Sequence, residues 1–206
     1  MEYKNLAVSN DVHDELYRMT NNIMGMLCRR GIMCWIDGGT LLGAIRHKAI
    51  IPHDDDVDLG VMLFDVDELK KILEKIRTRY KYEVLADYNL NLVKILSRVG
   101  DRDICVDIFI WVHMLDGKVE LANMNYMKRW PNCYHDEDDF HILTMYDFGP
   151  IRVLGPKNPI PYLDRMYPNW RTEIVVTDHK EKILSTYNIS DVEEQKNLLC
   201  EFERKD

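Results

Sequence analysis

The sequence predicts a mixed α/β (α+β) fold in which helices pack against a mixed sheet, and two kinds of pattern support this prediction. Segments with apolar residues at spacings of three and four, typical of helices, alternate with short apolar runs of strand length. Asp116-Gly117 lies between two such runs, as a hairpin turn would. The 206 residues suffice for one well-packed core, and no internal repeat or Gly/Ser linker divides them. We therefore expect residues 1–206 to form a single domain.

The first predicted elements come from the N-terminal part of the chain. Apolar residues recur at helical spacing from about residue 10 to residue 30, and Gly31 ends this helix. A short buried strand is predicted at residues 32–36. The turn Gly38-Gly39-Thr40 then opens a second, short helix, and another strand is predicted at residues 57–62. This order places a glycine turn between two neighbouring strands.

The remaining elements are predicted in the same way. A third helix is expected at about residues 65–80, because apolar residues form a stripe along it. Successive strands are predicted at residues 82–85, 92–99, 104–112 and 118–121. Beyond these, prolines break the pattern into loops and short pieces; they stand at positions 131, 150, 156, 159, 161 and 168. We expect a brief helix at residues 161–167 and a terminal helix at residues 192–202.

Composition and charge exclude several classes of protein. Hydrophobic residues make up 46% and charged residues 30% of the chain, which is typical of a globular protein. The net charge of −8 argues against general nucleic-acid binding, which needs a basic surface. No signal peptide and no run of about 18 apolar residues is seen, so we expect a soluble, cytoplasmic protein without a membrane span. The five scattered cysteines predict neither a zinc cluster nor a disulfide framework.

Three carboxylates carry the strongest functional signal. Because side chains alternate along a strand, Asp56, directly before the strand predicted at residues 57–62, shares one face with Asp58. Asp107 is a single acid within an almost wholly apolar strand, where an unpaired charge would be costly. Neighbouring carboxylates repel each other unless a cation lies between them, and oxygen ligands suit Mg²⁺ or Mn²⁺. These three acids therefore predict a metal site that orients a phosphate for displacement.

The glycine turn is the second part of this pattern. Gly38 and Gly39 lack a Cβ, so the backbone can approach a phosphate closely, and the next helix offers free amides to it. Thr40 adds a hydroxyl, and Arg46 is a candidate counter-charge near the end of that helix. Each signal alone has an ordinary explanation, a turn or a solvated acidic loop. The combination of a glycine turn, a paired acid and a lone acid in an apolar strand favours catalysis.

Other polar and aromatic residues leave two interpretations open. Residues 135–139 with His141 are interpreted as a solvated acidic loop, with a metal site as the alternative. Lys94 and Arg98 share one face of a predicted strand, where they either meet donor phosphates or lie on an exposed edge. Four aromatic residues either stack on a sugar or base or fill the core: Tyr126, Trp130, Tyr134 and Trp170.

The sequence around these residues resembles the LicD family, whose distant members include fukutin and fukutin-related protein. The segment at residues 37–48 (DGGTLLGAIRHK), followed by residues 51–58 (IPHDDDVD), is similar to the family signature almost residue for residue. Two shorter matches are VDIF at residues 106–109 and the late segment, GPK at residues 155–157 with YLDRMYPNW at residues 162–170. The resemblance covers about residues 10–172.

This resemblance implies a nucleotidyltransferase-like fold and a specific reaction. Family members transfer a phospho-alcohol, such as phosphocholine or ribitol phosphate, from a CDP-activated donor to a glycan hydroxyl and release CMP. It implies metal binding by Asp56, Asp58 and Asp107 and donor-phosphate binding by the turn at residues 38–40, with Arg46. Asp54, His53 and Arg98 are candidates for contacts around these groups. The family often has Trp at the position of His53 and commonly Gly at that of Pro168.

Several alternatives stay open. Asp107, Asp54 or His53 is the candidate to accept the proton of the acceptor hydroxyl. A nucleotidyltransferase that uses an NTP donor would need the same three acids. A non-catalytic nucleotide- or glycan-binding module of the same fold would not need all three, and a small-molecule phosphotransferase would suit the acidic surface.

Overall fold

A seven-stranded mixed sheet forms the centre of the protein. The computed structural model describes residues 6–86, 92–177 and 183–190. The helices are α1 (Asn10–Cys28), α2 (Gly38–Arg46), α3 (Val66–Tyr80), α4 (Met124–Arg129) and α5 (Ile160–Met166). The strands are β1 (Cys34–Ile36), β2 (Asp56–Met62), β3 (Glu83–Ala86), β4 (Leu92–Val99), β5 (Arg102–His113), β6 (Lys118–Leu121), β7 (Tyr134–Asp136), β8 (Thr144–Phe148), β9 (Ile151–Gly155), β10 (Glu173–Thr177) and β11 (Ile183–Asn188).

The sheet has one parallel pair at its centre. Its main path runs β1-β2-β5-β4-β3, with β6 paired to the end of β5 and β7 paired to β6. The strands β2 and β5 are parallel, whereas all other neighbours in the sheet are antiparallel. Two separate hairpins, β8-β9 and β10-β11, follow. The predicted mixed fold with flanking helices is thus confirmed.

The two faces of the central strands differ in chemistry. Val57, Leu59 and Val61 of β2 alternate with its acids and are fully buried. The register places them opposite equally buried residues of β5, including Val106 and Ile108. The helix α1 packs against β1, β2, β4 and β5, and α3 packs against α1 and β3. Because one face is covered by these helices, the alternating acids must lie on the other face.

The predicted elements agree with the structure as far as β6. The Asp116-Gly117 turn is followed by β6, as expected, and Gly117 has a positive φ of 81°. The prediction missed α4, β7 and both hairpins, because the prolines were interpreted as disrupting the whole region. They stand at the ends of elements instead: Pro156 follows β9, and Pro159 caps α5. The predicted helix at residues 192–202 lies outside the described residues.

The described part of the chain has no helix that combines the length and the apolar character needed to cross a bilayer. The four cysteines within the described ranges, Cys28, Cys34, Cys105 and Cys133, are all free. Most of the apolar core belongs to one cluster around the sheet, while Ile174 and Val176 form a small cluster of their own. The single-domain organisation and the cytoplasmic location remain predictions.

Candidate active site

Two acids and a lysine form a row across the face of the sheet opposite α1. In the parallel pair, Asp58 of β2 lies directly opposite Asp107 of β5. In the next, antiparallel pair, Asp107 lies opposite Lys94 of β4. Directly paired residues project from the same face of a sheet, so the three side chains are neighbours. Asp56 precedes this row by two residues on the same face and is exposed. The structure thus brings together the three acids that the sequence singled out.

The carboxylate of Asp107 is nearly buried, and only one of its two oxygens has a hydrogen-bond partner among the described residues. Its relative exposure is 6%, and its Oδ2 accepts a hydrogen bond from the Lys94 ammonium, with Nζ at 2.5 Å. Its Oδ1 has no hydrogen-bond partner among the described residues. A buried carboxylate oxygen without a donor is costly, so a ligand is expected to complete its contacts.

The glycine turn holds the carboxylate of Asp58 in place. The Gly39 N–H donates to Asp58 Oδ2 at 3.2 Å, and the Asp58 N–H donates to Thr40 Oγ1 at 2.7 Å. Gly38 has a φ of 52°, and a Cβ at this position would lie 2.6 Å from Asp58 Oδ2. The turn therefore needs glycine both for its backbone conformation and for the close approach of an acid. Phosphate binding by the turn remains a prediction.

Crowded like charges shift the proton affinity of these acids. Burial raises the pKa of Asp58 well above its usual range, and the charges of Asp56, Asp107, Asp37 and Asp54 raise it further. Burial, with the charges of Asp56 and Asp55 adding to it, raises the pKa of Asp54 to about 8. A divalent cation would relieve this repulsion, because it favours the charged form of each acid.

The donor set fits Mg²⁺ or Mn²⁺ in its chemistry. Both ions prefer oxygen ligands, and Asp107 Oδ1 is a buried oxygen without a donor. Within the described ranges, however, no three His, Cys, Asp or Glu side chains already converge as a ready-made metal cage. Lys94 stands beside Asp107 instead. Metal binding by these acids therefore remains a prediction, supported by charge and by the unsatisfied oxygen.

Two further candidate residues, His53 and Arg46, form contacts outside this row. His53 Nε2 is 3.6 Å from Asp54 Oδ1, and burial, with the nearby Arg46 charge, lowers the pKa of His53 to about 4. Arg46 donates to the carbonyl oxygens of Trp170 and Glu173, each at 3.2 Å, and so joins α2 to the late segment of the chain.

Arg98 is exposed and forms an ion pair with Asp103, which lies opposite it on β5. Its contacts in this structure do not bring it to the acids. Lys94 and Arg98 share a face of one strand, yet only Lys94 reaches the row, because the register pairs each with a different acid.

The interpretation of residues 135–139 as a solvated loop was wrong for His135 and Asp139. His135 is fully buried on β7, and Asp139 is 7% exposed. The His135 ring stacks on Tyr162 at a centroid distance of 3.9 Å, and its Nε2 lies 3.1 Å from Oδ1 of the buried Asp37. The late part of the chain is thereby attached to the residue that precedes the glycine turn. Little in the sequence signals this contact, because acids follow His135 directly at residues 136–139.

We expect His135→Phe to lower the free energy of unfolding by about 1–3 kcal/mol. Phenylalanine retains the stacking on Tyr162 but leaves the buried Asp37 carboxylate without its partner. Urea unfolding would measure the change, with His141→Phe as the control, because His141 is exposed. Equal stability of the two variants would contradict the proposed importance of the contact between His135 and Asp37.

Three of the aromatic residues singled out from the sequence pack against other side chains, and a further tyrosine, Tyr167, has a shifted pKa. Tyr126 and Trp130 stack on each other at 5.3 Å, and Trp170 is buried, with its Nε1 donating to Asp164 Oδ1 at 2.8 Å. Burial, followed by the charge of Asp58 and other groups, raises the pKa of Tyr167 well above its usual range. Sequence analysis did not identify this electrostatic interaction between Tyr167 and Asp58.

This mixed sheet, with acids on two adjacent central strands beside a glycine turn, defines a nucleotidyltransferase-like domain. The sequence model described as "LicD/FKTN/FKRP, nucleotidyltransferase domain" matches residues 31–158, and the chain belongs to this family. The resemblance stated from the sequence is therefore confirmed.

Three relatives illustrate how far the similarity extends. An uncharacterised protein of Rickettsia typhi is 34% identical over 91% of this chain and 57% of its own length. Ribitol 5-phosphate transferase FKRP of Mus musculus is 48% identical over an alignment that covers 68% of this chain and 32% of that protein. Lipopolysaccharide cholinephosphotransferase LicD of Haemophilus influenzae is 34% identical over 34% of this chain and 29% of its own length. The chain thus spans less than two thirds of the length of each of these relatives.

Proposed function

We propose that this protein is an enzyme that transfers a phospho-alcohol from a CDP-activated donor to a glycan hydroxyl and releases CMP. The observation that carries the proposal is the direct pairing of Asp58 with Asp107 beside the glycine turn. Relatives of the same family are named as transferases of ribitol 5-phosphate and of choline phosphate. These names support a phospho-alcohol as the transferred group.

Different residues have different roles in the proposed reaction. Asp56, Asp58 and Asp107 would hold Mg²⁺ or Mn²⁺, which supplies the positive charge that neutralises the donor diphosphate and the leaving CMP. The acceptor oxygen forms a bond to the phosphorus that carries the alcohol, while the bond from that phosphorus to the CMP oxygen breaks. The acceptor hydroxyl gives its proton to a nearby base. Asp54 and His53 are candidates for this base: the lowered pKa of His53 keeps its imidazole neutral and able to accept a proton, whereas the raised pKa of Asp54 means that it accepts one only where a nearby cation favours its carboxylate form.

A nucleotidyltransferase that uses an NTP donor is the second candidate, because the family description itself names a nucleotidyltransferase domain. Both reactions require acids that hold a metal ion bound to the phosphates of the donor. They differ in the donor, since one uses a CDP-alcohol and the other a triphosphate. The choice between them can therefore be made by donor binding.

We expect a single CDP-alcohol to raise the melting temperature in the presence of Mn²⁺. The panel is CDP-choline, CDP-ribitol, CDP-glycerol, CTP and UTP, each with and without Mn²⁺, because a ligand that binds only the folded state stabilises it. The control is the same panel with Asp58→Asn, which should lose the shift. A shift with triphosphates alone would favour the second candidate. No shift with any ligand would instead favour a non-catalytic module.

A further inference from the structure

We propose that Lys94 is a built-in counter-ion of Asp107 that competes with the metal ion for this carboxylate, so that metal binding displaces its ammonium group. This inference rests on the proposed function, because it concerns how the same site accepts its metal. The ammonium of Lys94 contacts Oδ2 of Asp107, while Oδ1 has no partner. One side of the carboxylate is thus occupied by a cation of the protein itself.

The position of Lys94 opposite Asp107 is fixed by the backbone register of two paired strands. The strands β4 and β5 pair continuously from Leu92 opposite Phe109 to Val99 opposite Arg102. Within this ladder Lys94 is directly opposite Asp107, and Asp107 is directly opposite Asp58 on its other side. The register therefore places Lys94 at the end of the row of acids, with its side chain on the same face as Asp107.

Lys94 and Asp107 differ in their exposure to solvent, and this difference allows a metal ion to replace the lysine. The side chain of Lys94 is 41% exposed, whereas that of Asp107 is 8% exposed. The lysine has a path to solvent and can leave, while the carboxylate stays in place. Burial opposes the charge of Lys94, but its hydrogen bond and charge interaction with Asp107 raise its pKa overall. The ammonium thus remains charged as long as it contacts the acid.

A competing cation has a measurable consequence. A metal ion that binds Asp107 competes with an existing ion pair for this carboxylate, and its charge is repelled by the nearby ammonium. Removal of the lysine charge therefore tightens metal binding, whereas a structural role alone would weaken it by disordering the carboxylate. The direction of the change separates the two explanations.

The test is a calorimetric titration of the full chain with Mn²⁺ alone, without donor. We expect Lys94→Met to bind Mn²⁺ about tenfold more tightly than the wild type, because both the competitor and its repulsion are removed. Lys94→Gln is a second neutral variant, in case the first does not fold. Lys94→Arg keeps the charge and should stay within about twofold of the wild type. Lys118→Met is the matched control, since Lys118 pairs with Asp116 at the surface.

The outcomes separate this inference from the proposed function. Tighter binding in the folded neutral variants, or binding only in them, supports the competition. Mn²⁺ binding by the wild type with equal or weaker affinity in both neutral variants overturns the inference and leaves the proposed function intact. No Mn²⁺ binding by any of the proteins overturns the inference, whereas the proposed function is then still tested by the melting panel, in which Mn²⁺ is combined with a donor diphosphate.

Discussion

Asp58→Asn should abolish transfer and at the same time raise the melting temperature of the metal-free protein. Asparagine keeps the shape of the side chain and an oxygen that can accept the Gly39 N–H, but it removes one of the crowded charges. Transfer should fall about 10²-fold or more, because an electrostatic group that acts on the reacting phosphate is lost. Each kcal/mol of relieved repulsion should raise the melting temperature by about 2–4 °C.

The pH dependence follows from the direction of the Asp58 shift. Its pKa is raised in the folded protein, so Asp58 destabilises the fold at every pH above its unfolded pKa, neutral pH included. This penalty begins to shrink as the pH falls below the raised pKa, and it is gone only below the ordinary pKa of about 4, where folded and unfolded states both carry the proton. The stability advantage of Asp58→Asn should therefore be present at neutral pH and shrink in acid, as thermal melts at a series of pH values would show.

Asp55→Asn is the matched control for this prediction. It removes an acid from the same Asp54-Asp55-Asp56 run, but Asp55 forms an ion pair with Arg102 at 3.2 Å. This variant should keep transfer near the wild-type rate and change stability little, because partly exposed ion pairs contribute little. If Asp58→Asn retained normal transfer, or if Asp55→Asn lost it, the assignment of the acids would be wrong.

The acids could be predicted from the sequence because they break a strong local pattern. An acid inside the apolar strand at Asp107, and two acids at alternate positions of the other strand, are visible without any structure. Their pairing could not be predicted, since β2 and β5 are joined through α3, β3 and β4 and the register between them is a tertiary property. The contact of Lys94 with Asp107 could not be predicted for the same reason. Lys94 and Arg98 lie on the same face of one strand, and only the register shows that Lys94 lies opposite Asp107 and Arg98 opposite Asp103.

His135 shows where local composition fails as a guide. Its neighbours in the chain are acidic, so a solvated loop was the natural interpretation. The residue is buried because β7 extends the sheet through β6 and brings the ring between Tyr162 and Asp37. Contacts between residues 98 positions apart leave no periodic signal in a single sequence. The acids at the site were therefore predictable as residue types, but the contacts that hold the glycine turn were not.

Gly38→Ala is expected to lower transfer by about a hundredfold or more, because it displaces the carboxylate of Asp58. Gly38 has a positive φ of 52°, and a left-handed alanine costs about 1–2 kcal/mol. The added Cβ would also lie 2.6 Å from Asp58 Oδ2, so either the turn or the carboxylate must shift. A displacement of about 1 Å at a reacting group is enough for a loss of this size.

Two further glycines make the test specific to the contact with Asp58. Gly31→Ala adds the same backbone strain, with a φ of 73°, but its Cβ would meet nothing within 4 Å. It should lower the melting temperature and leave both transfer and Mn²⁺ affinity unchanged. Gly39→Ala places its Cβ 3.5 Å from Asp54 Oδ2 and 3.8 Å from Asp58 Oδ2, which are ordinary contacts, so it should lower transfer much less than Gly38→Ala does. Normal transfer in Gly38→Ala, measured with the donor found by the melting panel, would show that the turn does not need to hold Asp58 for the reaction.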